Sequence, residues 1–447
     1  MRPHLLFTLL APALPGALQA QAIHGRFDPP AHQDAYIRLH GTRGTAHPVI
    51  DSARVDGRGA FSFAQVQRVT GFYQLSVNDS DRVDLILDQR EPEVVLILNG
   101  SPLQDHVLFQ RSVENQRLWE YKAASREAQA LIAASETEKG GLDPLRDLDR
   151  IHALDSIEAY VRTAKQARLA ALLAQAPESF FAKVVAASQR VEAAQQKGPM
   201  AVARGFDLSD PSLLRSSAYP QAVMTFLRNL DAVSEEQFVN AADTLMHLAS
   251  GNAECRSYML EQLLELFATY GPDMALRHLV DRYLEKGSDL GGISKETLAR
   301  VREAQRMTMG AMGPDIPLPF PGDDTTWLSA MMQGHPYTLL FFYSSTCDHC
   351  HAQMPGVVDL YERFGAKGLQ VVGVAIDESE EDFHRAITDN HLTWPCFSEL
   401  RGWGSPAAKA YAVQALPSFF LLAQDRRIVG KPYDAVEAMD ELKGLLK

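Results

Sequence analysis

The fold of the C-terminal part is decided by Tyr337-Thr-Leu-Leu-Phe-Phe-Tyr-Ser-Ser-Thr-Cys347-Asp-His-Cys350-His-Ala-Gln-Met-Pro355. Its apolar run predicts a buried strand of the parallel-sheet kind, which ends in small polar residues directly before Cys347. An apolar stripe then predicts a helix whose first turn holds both cysteines; the stripe comprises Met354, Val357, Val358, Tyr361 and Phe364. Because a first helical turn offers unpaired N–H groups and a positive dipole end, this placement favours a thiolate at Cys347, with Cys350 one turn away.

A Cys-x-x-Cys pair also occurs in zinc sites and among buried structural thiols. A zinc site needs a second Cys/His pair at ligand spacing, and only His349 and His351 lie near the motif. The order strand, Cys-x-x-Cys, helix favours redox chemistry over both alternatives. We therefore predict a redox dithiol, with no metal site and no cofactor.

Three motifs of the C-terminal part occur in a fixed order. They are Cys347-Asp-His-Cys350 with Met354-Pro355 behind it, Gly368-Leu-Gln-Val-Val-Gly-Val-Ala-Ile-Asp377, and Leu416-Pro417-Ser-Phe-Phe-Leu-Leu422. Together they resemble the TlpA/ResA-like branch of the thioredoxin superfamily. The resemblance implies that Cys347 attacks a substrate disulfide, that Cys350 resolves the mixed disulfide, and that a cis Leu416–Pro417 peptide docks the substrate chain. It also implies protein disulfides as substrates and a membrane-embedded electron donor.

The sequence departs from this family pattern at three positions. Thr346 stands where the family often has tryptophan. Phe341 stands where thioredoxin has a buried acid that helps to deprotonate the resolving thiol, and Gln353 stands where ResA-like proteins often have a glutamate with a similar task. The acids that move the proton in those relatives are therefore absent from these positions of this chain.

Side chains next to the cysteines are candidates for that task and for tuning the redox potential. His349, His351 or Asp348 can take the place of the missing acid, with solvent as the alternative. A protonated His349 also favours the Cys347 thiolate, which stabilises the reduced form. We therefore predict a reduction potential less reducing than that of thioredoxin and well short of that of DsbA.

The N-terminus has the features of a secretory leader. A short basic start precedes an apolar run from Leu5 to Leu18, which prolines interrupt, and Ala20-Gln-Ala22 forms a small-residue cleavage site. These features predict a signal peptide over residues 1–22 and a mature chain from about Ile23. No cysteine precedes Cys255, which excludes a lipid-modified N-terminal cysteine, and no later apolar segment has the length of a membrane span. We expect a soluble periplasmic protein.

Composition and patterning predict a multidomain chain. Its 447 residues suffice for about three domains, and the net charge of −13 argues against nucleic acid as a partner. Short alternating runs between turn signals predict an antiparallel β-sandwich over residues 23–112, and amphipathic stretches predict an α-helical region over 113–312. Residues 313–447 are expected to form an α/β thioredoxin-like domain. Within it, Asp377 or Ser379 is expected to cap the helix after the second strand.

Two functions from other classes compete with the oxidoreductase. Peroxiredoxins carry proline and threonine before the attacking cysteine, where this chain has Leu340 and Ser344, and this argues against a thiol peroxidase. A non-catalytic thioredoxin-like binding module, such as a copper chaperone holding the metal through Cys347, Cys350 and a nearby histidine, is the second. The other two cysteines, Cys255 and Cys396, are expected to be unbridged buried thiols, with a disulfide between them as the alternative.

Overall fold

The computed structural model describes residues 21–66, 68–78, 80–230, 234–284, 292–319 and 325–446. The chain forms two compact units, Met1–Asp231 and Ala232–Lys447. Sheets dominate the start of the first unit, helices follow in both units, and an α/β domain closes the second. The predicted multidomain fold class is confirmed.

Two four-stranded sheets form the start of the first unit. Their strands are β1 (Gln21–Phe27), β2 (Tyr36–Gly41), β3 (Val49–Arg54), β4 (Ala60–Val66), β5 (Gly71–Ser76), β6 (Arg82–Leu87), β7 (Glu93–Leu98) and β8 (Val107–Arg111). One sheet has the order β4-β1-β7-β8 and the other β3-β2-β5-β6. Side chains of β1 alternate between buried and less buried, as expected for a strand with one face on the core. The predicted antiparallel pairing is wrong for β1 and β7, which run parallel with Ile23 opposite Val94.

The first strand begins inside the predicted leader. Gln21 is 2% exposed, and its side chain donates to the Asp88 carbonyl oxygen at 3.2 Å. The Ala22 N–H donates to the Pro92 carbonyl oxygen at 3.1 Å. Cleavage after Ala22 would remove these contacts, whereas the remaining leader, residues 1–20, lies outside the described residues.

Five helices complete what is described of the first unit: α1 (Val113–Gly140), α2 (Leu148–Gln175), α3 (Phe180–Ala194), α4 (Pro199–Gly205) and α5 (Ala218–Arg228). The side chains of Ser112 and Ser179 cap α1 and α3 by accepting backbone N–H groups of their first turns. The predicted start of the helical region, residue 113, coincides with the start of α1.

The second unit begins with further helices. They are α6 (Glu235–Leu248), α7 (Ala253–Tyr270), α8 (Asp273–Leu279) and α9 (Lys295–Arg306). Asp273 ties α8 to the α/β domain, because its carboxylate accepts the Met309 N–H at 3.0 Å and the Lys431 ammonium at 2.6 Å. The helical region that the sequence predicts as one segment is therefore divided between the two compact units.

The α/β domain is built on one five-stranded sheet. The elements of the domain are β9 (Pro317–Pro319), β10 (Thr325–Trp327), α10 (Leu328–Met331), β11 (Tyr337–Tyr343), α11 (Asp348–Phe364), β12 (Leu369–Ala375), α12 (Glu380–Asp389), β13 (Cys396–Ser398), α13 (Pro406–Ala410), β14 (Ser418–Ala423), β15 (Ile428–Gly430) and α14 (Ala435–Leu445). The sheet order is β13-β12-β11-β14-β15. The strands β11, β12 and β13 are parallel, and β14 and β15 form an antiparallel hairpin.

Both faces of this sheet are buried, which explains the unbroken apolar run in β11. Leu339, Phe341 and Tyr343 pack with α11 and α14 on one face. Leu340 and Phe342 belong to a second cluster on the other face. A strand that is covered on both sides has no solvent-facing side, so its sequence shows no alternation of apolar and polar residues. The sheet thus presents the carboxyl ends of β11 and β12 side by side, next to the start of α11.

Candidate active site

Cys347 occupies the N-cap position of α11. Its backbone is extended, with φ −96° and ψ 109°, and the helix proper begins at Asp348. Its sulfur accepts the backbone N–H of Cys350 at 3.3 Å, the bond that an N-cap serine or aspartate oxygen makes elsewhere. Because this N–H and the helix dipole both favour negative charge on the acceptor, the position stabilises a thiolate on a partly exposed cysteine.

Cys350 differs from Cys347 in its surroundings. Its side chain is fully buried, between α11 and the sheet. Burial raises the pKa of the Cys350 thiol, and the neighbouring Cys347 and Asp377 raise it further. The two cysteines therefore differ in the way that an attacking and a resolving thiol require. Cys347 is accessible to solvent, whereas the raised pKa of the buried Cys350 favours its protonated thiol form.

The Leu416–Pro417 peptide bond is cis, as predicted. The Leu416 carbonyl oxygen lies 3.9 Å from the Cys347 sulfur, so the loop before β14 is in contact with the thiol. Whether this loop docks a substrate chain stays a prediction.

The predicted proton carriers next to the cysteines have different surroundings. Asp348 and His349 are exposed at the first turn of α11. His351 lies 2.7 Å from the Ser345 carbonyl oxygen through Nε2, which therefore carries the hydrogen. The Gln353 side chain accepts the Ala435 N–H at 2.9 Å and so caps α14. Gln353 thus links α11 to the start of α14. The two helices lie close together there, because a Cβ added at Gly356 would lie 2.7 Å from the Ala435 Cβ.

Phe341, at the position where thioredoxin has its acid, is an aromatic core residue. Its ring stacks on Phe419 with centroids 4.9 Å apart and on Tyr343 at 5.1 Å. Beyond this stack, Cys396 packs against the same core, and burial raises its pKa to about 12. Cys255 is buried in α7. Cys396 is only partly buried, whereas the sequence predicted two buried thiols. That these two cysteines are unbridged stays a prediction.

Asp377 also lies at the site, whereas the sequence motifs indicated it only as a candidate helix cap. It follows β12 with only 4% of its surface exposed. Its Oδ1 accepts the Ser344 hydroxyl at 2.7 Å and the Ser345 N–H at 2.9 Å, which holds the loop before Cys347. The helix cap that we expected at Asp377 or Ser379 is made by Ser379, which accepts the Asp382 N–H. The signal was available: in a parallel sheet, a polar residue directly after a buried strand lies at the edge where the neighbouring strand also ends.

A mixed sheet with three parallel strands, a Cys-x-x-Cys pair at a helix start and a facing cis-proline define the thioredoxin-like class. The family model of the AhpC/TSA family matches residues 309–431. Among curated proteins, the thiol-disulfide oxidoreductase ResA of Oceanobacillus iheyensis is 28% identical over 108 residues, which cover 24% of this chain and 54% of that protein. ResA of Bacillus cereus is 26% identical over 108 residues, covering 24% and 60%. The chain thus spans little more than half the length of these relatives.

Solved structures of the same class are similar to this chain. A thiol-disulfide oxidoreductase from Bacteroides fragilis is 26% identical, covers 30% of this chain and 99% of its own, and has a TM-score of 0.29. A thioredoxin-like protein from Bacteroides caccae is 15% identical, covers 56% and 93%, and has a TM-score of 0.41. The family model and the curated relatives show that the C-terminal domain is similar to thioredoxin-like thiol-disulfide oxidoreductases of the ResA kind, which agrees with the resemblance carried by its motifs.

Proposed function

We propose that this protein is an exported thiol:disulfide oxidoreductase that reduces disulfides of other periplasmic proteins through Cys347 and Cys350. The observation that carries the proposal is the unequal pair: a partly exposed Cys347 that caps a helix, in front of a buried Cys350. The names of the curated relatives support the same chemistry.

The reaction proceeds in two exchanges. The Cys347 thiolate attacks one sulfur of a substrate disulfide; a Cys347–substrate bond forms, and the first substrate thiolate leaves. Cys350 then loses its proton and attacks the Cys347 sulfur, which forms the internal disulfide and releases the second substrate thiolate. Two electrons pass from the protein dithiol to the substrate, and both substrate thiolates take up protons.

The loop before β14 supplies the place for the substrate chain. Since the Leu416 carbonyl oxygen lies 3.9 Å from the Cys347 sulfur, a polypeptide bound along Leu416 and Pro417 would bring its disulfide to that sulfur. The oxidised pair needs electrons from outside, and the resemblance to TlpA/ResA-like proteins implies a membrane-embedded donor. In the part of the chain that the structure describes, no helix has the length and apolarity of a membrane span.

Insulin reduction in the presence of dithiothreitol tests the proposal. Wild type is expected to accelerate precipitation of the insulin B chain, and Cys347→Ser and Cys350→Ser to fall to the uncatalysed background. Cys396→Ala, which removes another thiol of the same domain, is expected to retain the rate. Cys350→Ser should also accumulate mixed disulfides with periplasmic proteins that dithiothreitol releases, because its first exchange cannot be resolved.

The copper-chaperone alternative is tested beside this assay. In the described part of the chain, no group of three His, Cys, Asp or Glu side chains is arranged to hold a metal ion. Stoichiometric Cu(I) binding that needs both cysteines, without insulin reduction by wild type, would replace the proposed function. Export is tested separately by the intact mass of the periplasmic form, which we expect to begin near Ile23.

A further inference from the structure

The second exchange needs an acceptor for the proton of the buried Cys350 thiol. A thiol must become a thiolate before it attacks a disulfide, and burial raises the pKa of the Cys350 thiol. Asp348 and His349 are exposed to solvent, and Gln353 is bonded to the start of α14. The acid that the family pattern would supply is absent from the sequence at Phe341 and Gln353.

Asp377 is a buried carboxylate with one oxygen in use and one open. Its Oδ1 accepts two hydrogen bonds, from Ser344 and Ser345. Its Oδ2 is shielded from solvent and has no hydrogen-bond partner among the described residues. A buried carboxylate oxygen without a hydrogen-bond partner costs free energy, because its lost hydration is not replaced. An acid that served only to hold the loop would not need this second oxygen unoccupied.

The open carboxylate is coupled to the resolving thiol. The charge of Asp377, at the end of β12, raises the pKa of the Cys350 thiol. The Asp377 carboxylate also accepts the hydroxyl of Ser344, in the loop that leads to Cys347 and the start of α11. The Asp377 charge also acts on Tyr343 of β11, whose hydroxyl in turn lies against Cys396 of β13.

We propose that Asp377 accepts the proton of Cys350 in the resolving exchange. The inference rests on the proposed function and assigns a catalytic residue to it. The Cys350 proton passes to the Asp377 carboxylate while the Cys350 sulfur bonds to Cys347 and the Cys347–substrate bond breaks. The departing substrate thiolate takes its proton from Asp377 or from solvent, which returns the carboxylate to its charged form.

A chromogenic aromatic disulfide separates the two exchanges, because each exchange releases one coloured thiolate. Reduced full-length protein is mixed with it in a stopped-flow instrument. Wild type should show a first release from the attack by Cys347 and a second from resolution by Cys350. Cys350→Ser should show only the first. The rate of each phase is then measured against pH.

Asp377→Asn is the decisive variant. Its amide oxygen can still accept the hydrogen bonds from Ser344 and Ser345, while its amide group cannot take a proton. We expect an unchanged first phase and a second phase slower by about 100-fold at neutral pH, the range of general base catalysis. The slowed phase should recover as pH rises, because hydroxide replaces the lost base. Asp377→Glu should regain part of the rate, and Glu378→Gln, which alters an exposed neighbouring acid, should match wild type.

The outcomes distinguish this inference from the proposed function. Two phases in wild type with an unchanged second phase in Asp377→Asn would overturn the role of Asp377 and leave the dithiol reaction intact. An equal slowing of both phases, with no recovery at high pH, would make Asp377 a purely structural residue. A wild type without a second phase and without insulin reduction would overturn the proposed function itself.

Discussion

Buried carboxylates occur in both compact units, and they differ in how their oxygens are used. In the first unit, Glu114 accepts the N–H groups of Phe180 and Phe181 at 2.8 and 3.1 Å, at the start of α3. Arg90 bonds both oxygens of the adjacent Asp88 and reaches Glu114 at 3.3 Å. In the second unit, Asp377 leaves Oδ2 without a partner in the described structure.

This difference matches the different roles that we assign to the two groups: Glu114 and Asp88 stabilise the fold, and Asp377 takes part in the reaction. Burial raises the pKa of Glu114, while the hydrogen bonds of Arg90 hold the pKa of Asp88 below its usual range despite its burial. Such a filled network gains stability only while all of its members are present. An open buried oxygen costs stability, and it is useful where a proton must be received, as beside Cys350.

The largest expected effect comes from breaking the filled network. Glu114→Ala should lower the free energy of unfolding by about 3 kcal/mol, because it leaves the two buried N–H groups of Phe180 and Phe181 without their acceptor and removes one of the partners of Arg90. Urea unfolding measures the loss. Hydrogen exchange of peptides from 180–194 locates it at α3. Folded Glu114→Ala should reduce insulin at the wild-type rate.

Glu120→Ala is the matched control on the same helix. Glu120 is an exposed acid paired with Arg168, and exposed pairs contribute at most about 1 kcal/mol. An equal loss of unfolding free energy in both variants would show that the hydrogen-bond network of Glu114 contributes no more stability than an exposed ion pair. The contrast between the two units would then be removed.

Local patterns explain how much of the second unit could be predicted. The apolar run before Cys347 and the stripe after it predicted β11 and α11. Asp377 was missed because its partners, Ser344 and Ser345, lie more than thirty positions earlier in the chain. Pattern reasoning follows neighbours along a chain, whereas the strand order that brings these residues together is a tertiary property.

The first unit shows the same limit. The alternating runs predicted β2 to β7, but β1 was missed because its first residues were assigned to the leader. The parallel pairing of β1 with β7 joins segments about seventy residues apart, and alternation carries no information about strand direction. The division into compact units at residue 231 likewise depends on contacts that the helical pattern does not encode.

Glu441 in α14 extends the contrast, because it is a half-buried acid with one oxygen unpartnered in the described structure. Its Oε2 is buried without a hydrogen-bond partner among the described residues. Burial and the nearby charge of Glu437 raise the pKa of Glu441 from 4.5 to about 7. The folded state therefore prefers the protonated form. The corresponding stability is fully present below the unfolded pKa of 4.5 and is lost as pH rises through about 7.

Glu441→Gln should raise the free energy of unfolding at pH 8 by about 1–2 kcal/mol, a figure that allows for partial solvent screening. At pH 4 the gain should vanish. Denaturant unfolding of wild type and variant across this pH range measures the difference. Asp440→Asn, at an exposed position of the same helix, should leave the pH dependence unchanged. A gain that does not vary with pH would show that Glu441 is not the titrating group.

The smallest expected effect comes from an exposed group beside the nucleophile. His349 lies in the first turn of α11, where a positive charge next to Cys347 favours the thiolate and so the reduced form. A first-turn charge contributes at most about 1 kcal/mol, and about 1.4 kcal/mol corresponds to about 30 mV for a two-electron couple. His349→Pro should therefore lower the reduction potential by only a few tens of millivolts, as measured by glutathione equilibrium. His349→Gln separates charge from backbone: if charge is the cause, both variants shift together, and an unchanged or higher potential in both would show that His349 does not tune the pair. An exposed charge is screened by solvent, whereas the Asp377 carboxylate is buried. The first should therefore adjust the equilibrium slightly, and the second, in the role that we propose, should govern a rate.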